Sequence, residues 1–420
     1  MHERRPTLSV EEALQRILST ARVLEPERVP ILEAVNRVLA ESIAAGRDIP
    51  PLANSAMDGY AVRGEDVAQA PARLQVVEEV AAGSVGEIKV QPGTAVRIMT
   101  GAPIPQGADT VVRFEDTHVD GDWVEVVKEY ATGKNVRSAG EDVRAGQTVL
   151  SPGKVLRPQE IGMLAAVGHV EVAVIRRPRV GILATGDEVV SPDETPGPAQ
   201  IWDANSYTVA AQVRRYGGLP LVLGIARDRE ALVRQGIREA LAQESDFIIT
   251  SGGVSVGDFD LVKQVLAAEG EMHFWSLNMK PGRPLAFGVV DGVPLLGLPG
   301  NPVSAMISTE LFARPALLKM QGIDEWPWLS VRARLVDPIV RKDERRHYLR
   351  VRLRQTPEGW EAALTGDQGS GILNSLVQAD GLAIVPEDVD HLPEGSMVDV
   401  LSLGPVPYVW GGARGSYPGH

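Results

Sequence analysis

The chain has 420 residues, 42 Lys plus Arg against 55 Asp plus Glu, a net charge of −13 and no cysteine. That length allows about two to four domains, the acidic balance argues against a nucleic-acid partner, and the absence of cysteine excludes disulfides, thiol nucleophiles and cysteine-held clusters. No stretch reaches the ~18 apolar residues of a membrane span, the N-terminus MHERRPTLSVEEALQ has no apolar signal core, and the seven histidines fall in no ligand spacing, so the expected protein is cytoplasmic with no membrane partner.

Ser9 and Glu12 make an S-x-x-E capping box, and Ala13, Leu14, Ile17, Leu18 and Ala21 make an apolar stripe, which predicts a helix over 9–22. Leu32, Val35 and Leu39 predict a second helix from Ile31 to Glu41, with those three facing inward. From Asp48 to Lys134 short apolar runs (LQVVEEV, AVRIMT, TVVRFE, WVEVVKE) separated by Gly and Pro predict a small β-barrel or sandwich. Residues 135–177 form a bridge with a short helix at Pro158–Val167.

From Pro178 strands alternate with helices. RVGILAT, LPLVLGIA and DFIITSGG read as strands, with helices over DANSYTVAAQVRRYGG, DREALVRQGIREALAQ and FDLVKQVLAAEG. PLAFGVV and VPLLGLP read as paired strands, followed by a helix over NPVSAMISTELFARPALLKM, capped by Asn301 and kinked at Pro315. Apolar strands flanked by crossover helices predict a largely parallel, doubly wound sheet. From Trp328 to Leu403 five strand patterns return, a second small β-domain, and the tail 404–420 lacks periodicity.

Three segments at strand-to-helix junctions have the composition of a ligand site: Thr185-Gly186-Asp187-Glu188, the run Ser251-Gly252-Gly253-Val254-Ser255-Val256-Gly257-Asp258, and Leu298-Pro299-Gly300-Asn301-Pro302. Glycine there lets backbone N–H groups approach an anion; the plainer reading is that such turns make tight corners. The glycine run is not a Walker A motif, because Asp258 stands where Lys belongs, and no G-x-G-x-x-G follows the first strand. Carboxylates beside a phosphate loop repel the phosphate unless a cation intervenes, so Glu188, Asp228, Asp258 and Asp260 suggest Mg²⁺. Each acid alone is equally a helix cap or a solvated charge, and Asp228 suits the cap role especially. Lys280-Pro281-Gly282-Arg283 puts two cations on a rigid turn suited to an oxyanion. Composition alone makes Asn54-Ser55-Ala56-Met57-Asp58-Gly59-Tyr60-Ala61, Thr100-Gly101-Ala102-Pro103 and Gly140-Glu141-Asp142 only turns.

The strings NSAMDGYA, TGAPIPQGADTVV, GEDVRAG, ATGDEVV, SGGVSVGDFD, KPGRP, GLPGNPVSA and GSGIL–ADGL, in this order, resemble the molybdopterin molybdenumtransferases of the MoeA and gephyrin E-domain type, from about residue 7 to 403. The resemblance implies an α/β multidomain fold. An elongated N-terminal domain (1–47 plus 135–177) carries an inserted β-rich domain (48–134). A central doubly wound α/β molybdopterin-binding domain (178–327) and a C-terminal β-barrel-like domain (328–403) follow, then the tail. It also implies a homodimer with its active site shared between subunits, and insertion of molybdate into adenylylated molybdopterin with Mg²⁺ and release of AMP. Carried onto this sequence, the catalytic residues are Asp58, Thr100, Asp142, Glu188, Asp228 and Asp258, with Glu188 and Asp258 as metal ligands. Ser251, Gly252, Gly253, Ser255, Gly257, Lys280, Arg283, Pro299, Asn301 and Pro302 are the substrate-binding residues. One departure is Ser276, where many bacterial members carry Lys, and Arg283 replaces a Lys often found after KPG. Two rival readings are an assembly scaffold of the gephyrin E-domain type without catalysis and a Mg²⁺-dependent nucleotide hydrolase of another kind.

Overall fold

The computed structural model describes residues 7–253, 270–324, 330–341 and 343–404. The chain divides into two compact units, Met1–Glu27, Asn36–Val38 and Ile175–His420 in one, Arg28–Val35 and Leu39–Val174 in the other. The helix expected over FDLVKQVLAAEG lies outside the described residues up to Gly270, and so do Ser255, Gly257, Asp258 and Asp260 and the tail from 405.

In the first unit, the capping box closes as expected: Ser9 Oγ accepts from the Glu12 N–H (3.1 Å), Glu12 Oε2 accepts from the Ser9 N–H (2.9 Å), and the helix runs Val10–Thr20. Its apolar stripe enters the main core, where Ala13 and Ile17 are fully buried among Trp275, Leu311 and Phe312. The seven-stranded sheet has the order Thr7–Leu8, Gly270–Leu277, Pro284–Val290, Val293–Leu298, Phe247–Ser251, Arg179–Thr185, Leu219–Ala226. Pro284–Val290 runs antiparallel to both neighbours and the remaining pairings are parallel. The strand Gly270–Leu277 has no counterpart in the sequence reading.

Helix Asn205–Arg215 and helix Glu230–Ala242 cover opposite faces. Val209 and Val213 pack with Val180 and Ile182 in one cluster, whereas Val233, Ile237 and Ala240 pack with Leu183 and Ile248 in another. The sheet is therefore doubly wound. Crossovers from Arg179–Thr185 lead to one neighbour, Leu219–Ala226, while the parallel strand beyond Phe247–Ser251 is Val293–Leu298 on the other side. The order reverses between Arg179–Thr185 and Phe247–Ser251, which is where open α/β sheets bind ligands.

Two expected details of the last helices differ. The helix Pro302–Ser308 continues through a π turn, Thr309–Ala313, into Arg314–Met320. The irregularity thus precedes Pro315, whose missing N–H and ring are incompatible with an ordinary turn on the Leu311 carbonyl. Asn301 occupies the cap position but makes no capping hydrogen bond; its Nδ2 donates to Ser370 Oγ (2.9 Å). The C-terminal strands Arg346–Thr356, Gly359–Leu364, Ser330–Leu335, Met397–Ser402 and Gly381–Val385 pair in that order, and the last pairs back with the first, closing a five-stranded barrel around Val351, Ala362, Ala383 and Val400.

In the second unit a six-stranded sheet has the order Thr110–Arg113, Gly59–Val62, Thr94–Ile98, Ala72–Val80, Trp123–Val126, Thr117–Asp120. The helix Pro158–Ala166 forms as expected, with proline in its first turn. The helix expected over Ile31–Glu41 does not form. A single 3₁₀ turn, Ile31–Ala34, ends before Asn36, whose φ of 63° is left-handed and incompatible with helix continuation. Leu32 is exposed, and Leu39 is buried through an antiparallel bridge to Val174.

Candidate active site

The registers Thr185↔Ala226, Ala184↔Ser251 and Ser251↔Leu298 bring four parallel strands to an end at one level of the sheet. The segments that follow are TGDE, the Arg227-Asp228 turn, SGG and LPGNP. All three glycine-bearing turns and Asp228 therefore gather at one edge. The turns are tied to one another: the Gly252 N–H donates to the Leu298 carbonyl (3.1 Å), the Gly186 N–H to the Ala226 carbonyl (3.2 Å), and Thr185 Oγ1 to the Ser251 carbonyl (3.3 Å). Gly252 has φ 92° and a Cβ there would meet the Thr185 carbonyl oxygen at 2.5 Å, so the close approach of the first two turns requires glycine.

Asn205, not singled out from sequence, joins the start of the helix Asn205–Arg215 to the SGG and LPGNP turns. Its Nδ2 donates to Ser251 Oγ (2.7 Å) and to the Gly300 carbonyl (2.8 Å). Asp203, two residues earlier, accepts from the Ser206 N–H (3.0 Å) and starts that helix. A cavity of about 100 Å³ opens between these segments, lined by Thr185, Glu188, Trp202, Asn205, Ser251 and Gly300 among others.

The acids at this edge are close enough to influence one another. Asp228 is not the helix cap: Arg229 holds that position, without a side-chain hydrogen bond. Partial desolvation, then the charges of Asp187 and Glu188, push the Asp228 carboxyl above the usual aspartate range, opposed by hydrogen bonding from the Asp187 backbone; in return the Asp228 N–H donates to Asp187 Oδ1 (3.2 Å). Glu188 borders the cavity, and its carboxylate accepts no hydrogen bond from the described residues. Among the described residues no group of three or more potential ligands is assembled for a metal; the expected partner of Glu188, Asp258, lies outside them. Hard oxygen donors that repel each other beside an anion-compatible loop fit Mg²⁺, which takes one or two carboxylates and completes its shell with water and phosphate.

Lys280 and Arg283 flank a cis-proline turn. Met279–Lys280 pairs with Arg346–His347 of the barrel, and Lys280 Nζ lies 3.5 Å from Asp343 Oδ2. Arg283 Nε donates to Ser276 Oγ (2.9 Å), so the residue that departs from the family pattern is the acceptor that orients the guanidinium. Pro299 is buried; Gly300 and Asn301 are exposed at the mouth. Arg350, also absent from the sequence reading, is fully buried in the barrel. Its Nε donates to Ser375 Oγ (2.9 Å) and its Nη2 to the carbonyls of Gly369 (2.9 Å) and Asp367 (3.2 Å), while Nη1 has no partner among the described residues. Burial without a hydrogen-bonded carboxylate pushes its pKa down to about 10. It fixes the loop whose Ser370 meets Asn301. Nothing in HYLRVRLRQ distinguishes this arginine from its exposed neighbours.

The second unit assembles the other expected residues. The 49–58 segment runs beside 99–104 on one flank and 135–143 on the other: Ser55 N–H donates to the Ala102 carbonyl (2.9 Å), Gly101 N–H to Ser55 (2.8 Å), Ala56 N–H to Asn135 (3.0 Å), and Asp142 N–H to Ile49 (3.0 Å). Asp58 Oδ1 accepts from both the N–H (2.6 Å) and Oγ1 (2.7 Å) of Thr100. These bonds hold the Asp58 carboxyl below its ordinary value. Gly59 follows because a Cβ there would lie 1.9 Å from the Val112 carbonyl oxygen of the adjacent strand. Asp142 is exposed, with its backbone on the same strip.

Comparison with known proteins adds the following. Family models described as MoeA N-terminal region (domain I and II), probable molybdopterin binding domain, and MoeA C-terminal region (domain IV) match residues 8–168, 181–319 and 332–403. The chain is 36% identical to molybdopterin molybdenumtransferase 2 of Mycobacterium tuberculosis, over 94% of this chain and 99% of that one. It is 36% identical to the molybdopterin molybdenumtransferase of a Nostoc species, over 96% and 95%. The solved MoeA protein of Pyrococcus horikoshii superposes with a TM-score of 0.79 at 33% identity, covering 94% of this chain and 100% of that one.

Proposed function

Because the chain belongs to the MoeA family of molybdopterin molybdenumtransferases, we propose that it inserts molybdate into adenylylated molybdopterin and releases AMP, a late step of molybdenum cofactor biosynthesis. The observation that carries the reading is the alignment of TGDE, SGG and LPGNP at the reversal point of the doubly wound sheet. Backbone groups of Ser251–Gly253 are suited to a phosphate, and Glu188 and Asp228 stand where their charge would otherwise oppose it. Mg²⁺, held by Glu188 with Asp258, would neutralise the charge of a bound pyrophosphate. Among the described residues no donor engages the Glu188 carboxylate, which leaves it open to a cation. Asn205 holds Ser251 and Gly300 at fixed separation, and Arg283, steadied by Ser276, offers its remaining N–H groups to an oxyanion together with Lys280.

Asp58 and Thr100 form a preorganised pair, and we assign them with Asp142 to the same reaction, contributed across the dimer in the manner the family resemblance implies. The deciding assay is AMP release from adenylylated molybdopterin. Release that requires molybdate and Mg²⁺ supports the transferase. Release indifferent to molybdate makes the protein a nucleotide hydrolase, and no release leaves it a binding protein.

A further inference from the structure

The segment between Glu188 and the helix Asn205–Arg215 is built with more order than a surface loop needs. Val189–Val190 pairs in parallel with Ile201–Trp202. The Ile201 N–H donates to the Glu188 carbonyl (2.8 Å), and the Asp203 N–H to the Val190 carbonyl (2.8 Å). Trp202 is thereby fixed between the candidate acid Glu188 and the helix-starting Asp203. Its one polar atom is satisfied, since indole Nε1 donates to the Glu194 carbonyl (2.8 Å). The residue is nevertheless 56% exposed and is one of those lining the cavity, with Ser251, Gly252 and Gly300.

An indole with its N–H already engaged offers a ligand only its π face. A π face beside an anion-compatible turn matches a molecule that joins a phosphate to a planar heteroaromatic ring. Sequence-tolerant stacking of such rings on fixed aromatic side chains is a general mode of binding. We infer that Trp202 is the stacking platform for the heteroaromatic ring of the bound substrate, a nucleotide base or a pterin, and that the loop pairing at Val189–Trp202 exists to hold it over the cavity. This rests on the site proposed above and adds a residue that sets ring recognition there.

The test uses the full chain with Mg²⁺ and two probes, AMP and pterin-6-carboxylate, titrated by calorimetry and by tryptophan fluorescence. The comparison is between wild type, Trp202→Phe and Trp202→Leu, each shown by thermal melting to be folded. Because the chain holds seven tryptophans, the signal of Trp202 is the difference between wild type and Trp202→Phe. Expected is a ligand-dependent quench that Trp202→Phe loses while keeping affinity within about threefold, and an affinity about tenfold weaker in Trp202→Leu, the order of loss that removal of a stacking partner produces. The probe whose affinity falls identifies the ring. Undiminished affinity of Trp202→Leu for both probes overturns the inference and leaves the site intact. Failure of wild type to bind either probe overturns the site reading as well. A quench that follows protein concentration in the absence of either probe makes Trp202 a contact between copies instead.

Discussion

Truncation of Asn205 probes whether the turns at the sheet edge act as a unit. Asn205→Ala removes two hydrogen bonds, to Ser251 Oγ at 2.7 Å and to the Gly300 carbonyl at 2.8 Å. At about 0.5–1.5 kcal/mol net for each bond, the ceiling on lost stability is about 3 kcal/mol. The site borders an open cavity, so water can reach both abandoned groups, and the expected loss is nearer 1–2 kcal/mol. For a folding unit of this size that lowers Tm by only a few degrees. Activity should suffer more, because Ser251 and Gly300 lose their fixed separation: kcat/KM for AMP release should fall at least about tenfold, on the order of 1.4 kcal/mol. Asn205→Asp is the sharper variant. It preserves shape but sets a carboxylate oxygen against the Gly300 carbonyl, and should be impaired at least as much as the alanine variant. Near-normal AMP release by Asn205→Asp, with an unchanged melt, would refute the claim that this amide spaces the two turns.

Gly252→Ala should be worse than Asn205→Ala in both melting and turnover, since its Cβ meets a backbone carbonyl at 2.5 Å in a left-handed conformation; a soluble, fully active variant would contradict the close-approach argument. Glu188→Gln should raise the Mg²⁺ concentration needed for half-maximal AMP release by at least about tenfold while leaving the melt unchanged, and an unaltered Mg²⁺ titration removes Glu188 from the metal site. Light scattering should give about twice 45.1 kDa, and mixed Glu188→Ala and Asp58→Ala subunits should regain part of the activity; a fully active monomer contradicts the shared site. Arg157 holds Glu160 at a pKa of about 2 against an ordinary 4.5. A lowered folded-state pKa gives stability that is present above about 4.5 and lost as pH falls toward about 2, so Glu160→Gln should flatten the acid limb of an unfolding curve in that window, and an unchanged limb contradicts the assignment.

Local signals were the legible part of this molecule. The capping box Ser9–Glu12 predicted its helix because both partners lie within one turn, and the apolar runs from Pro178 predicted parallel strands because burial on both faces leaves no polar alternation. The Ile31–Glu41 helix failed where the local signal was misleading: Leu32, Val35 and Leu39 have helical spacing, but Asn36 turns the backbone left-handed and Leu39 bridges to Val174, 135 positions away in sequence. The site divides likewise. That TGDE, SGG and LPGNP share a sheet edge follows from strand alternation. That Thr100 binds Asp58, or that Arg350 organises the loop meeting Asn301, depends on pairings between distant segments, which the order of residues does not display. Trp202 and Asn205 escaped notice because each is an ordinary residue in an ordinary helix approach, and only the closing of the loop gives them neighbours.

The turn Lys280–Arg283 belongs to two structures at once. Met279–Lys280 is an added strand on the barrel, Pro284–Val290 lies within the seven-stranded sheet, and the barrel answers through Ser370, which receives Asn301 and whose carbonyl accepts the Val303 N–H (3.2 Å). The C-terminal barrel is therefore not a detachable module, although the sequence draws a boundary near 328. A chain cut there would lose the strand partner of Lys280 and the anchor of LPGNP together. Exchange of this domain between relatives would transplant the strand that pairs with Lys280 and the loop that holds Asn301, so a chimaera joined at that boundary draws the supports of its anion-binding turns from both parents, and the two parental halves must match at the 280–283 turn before either can be judged.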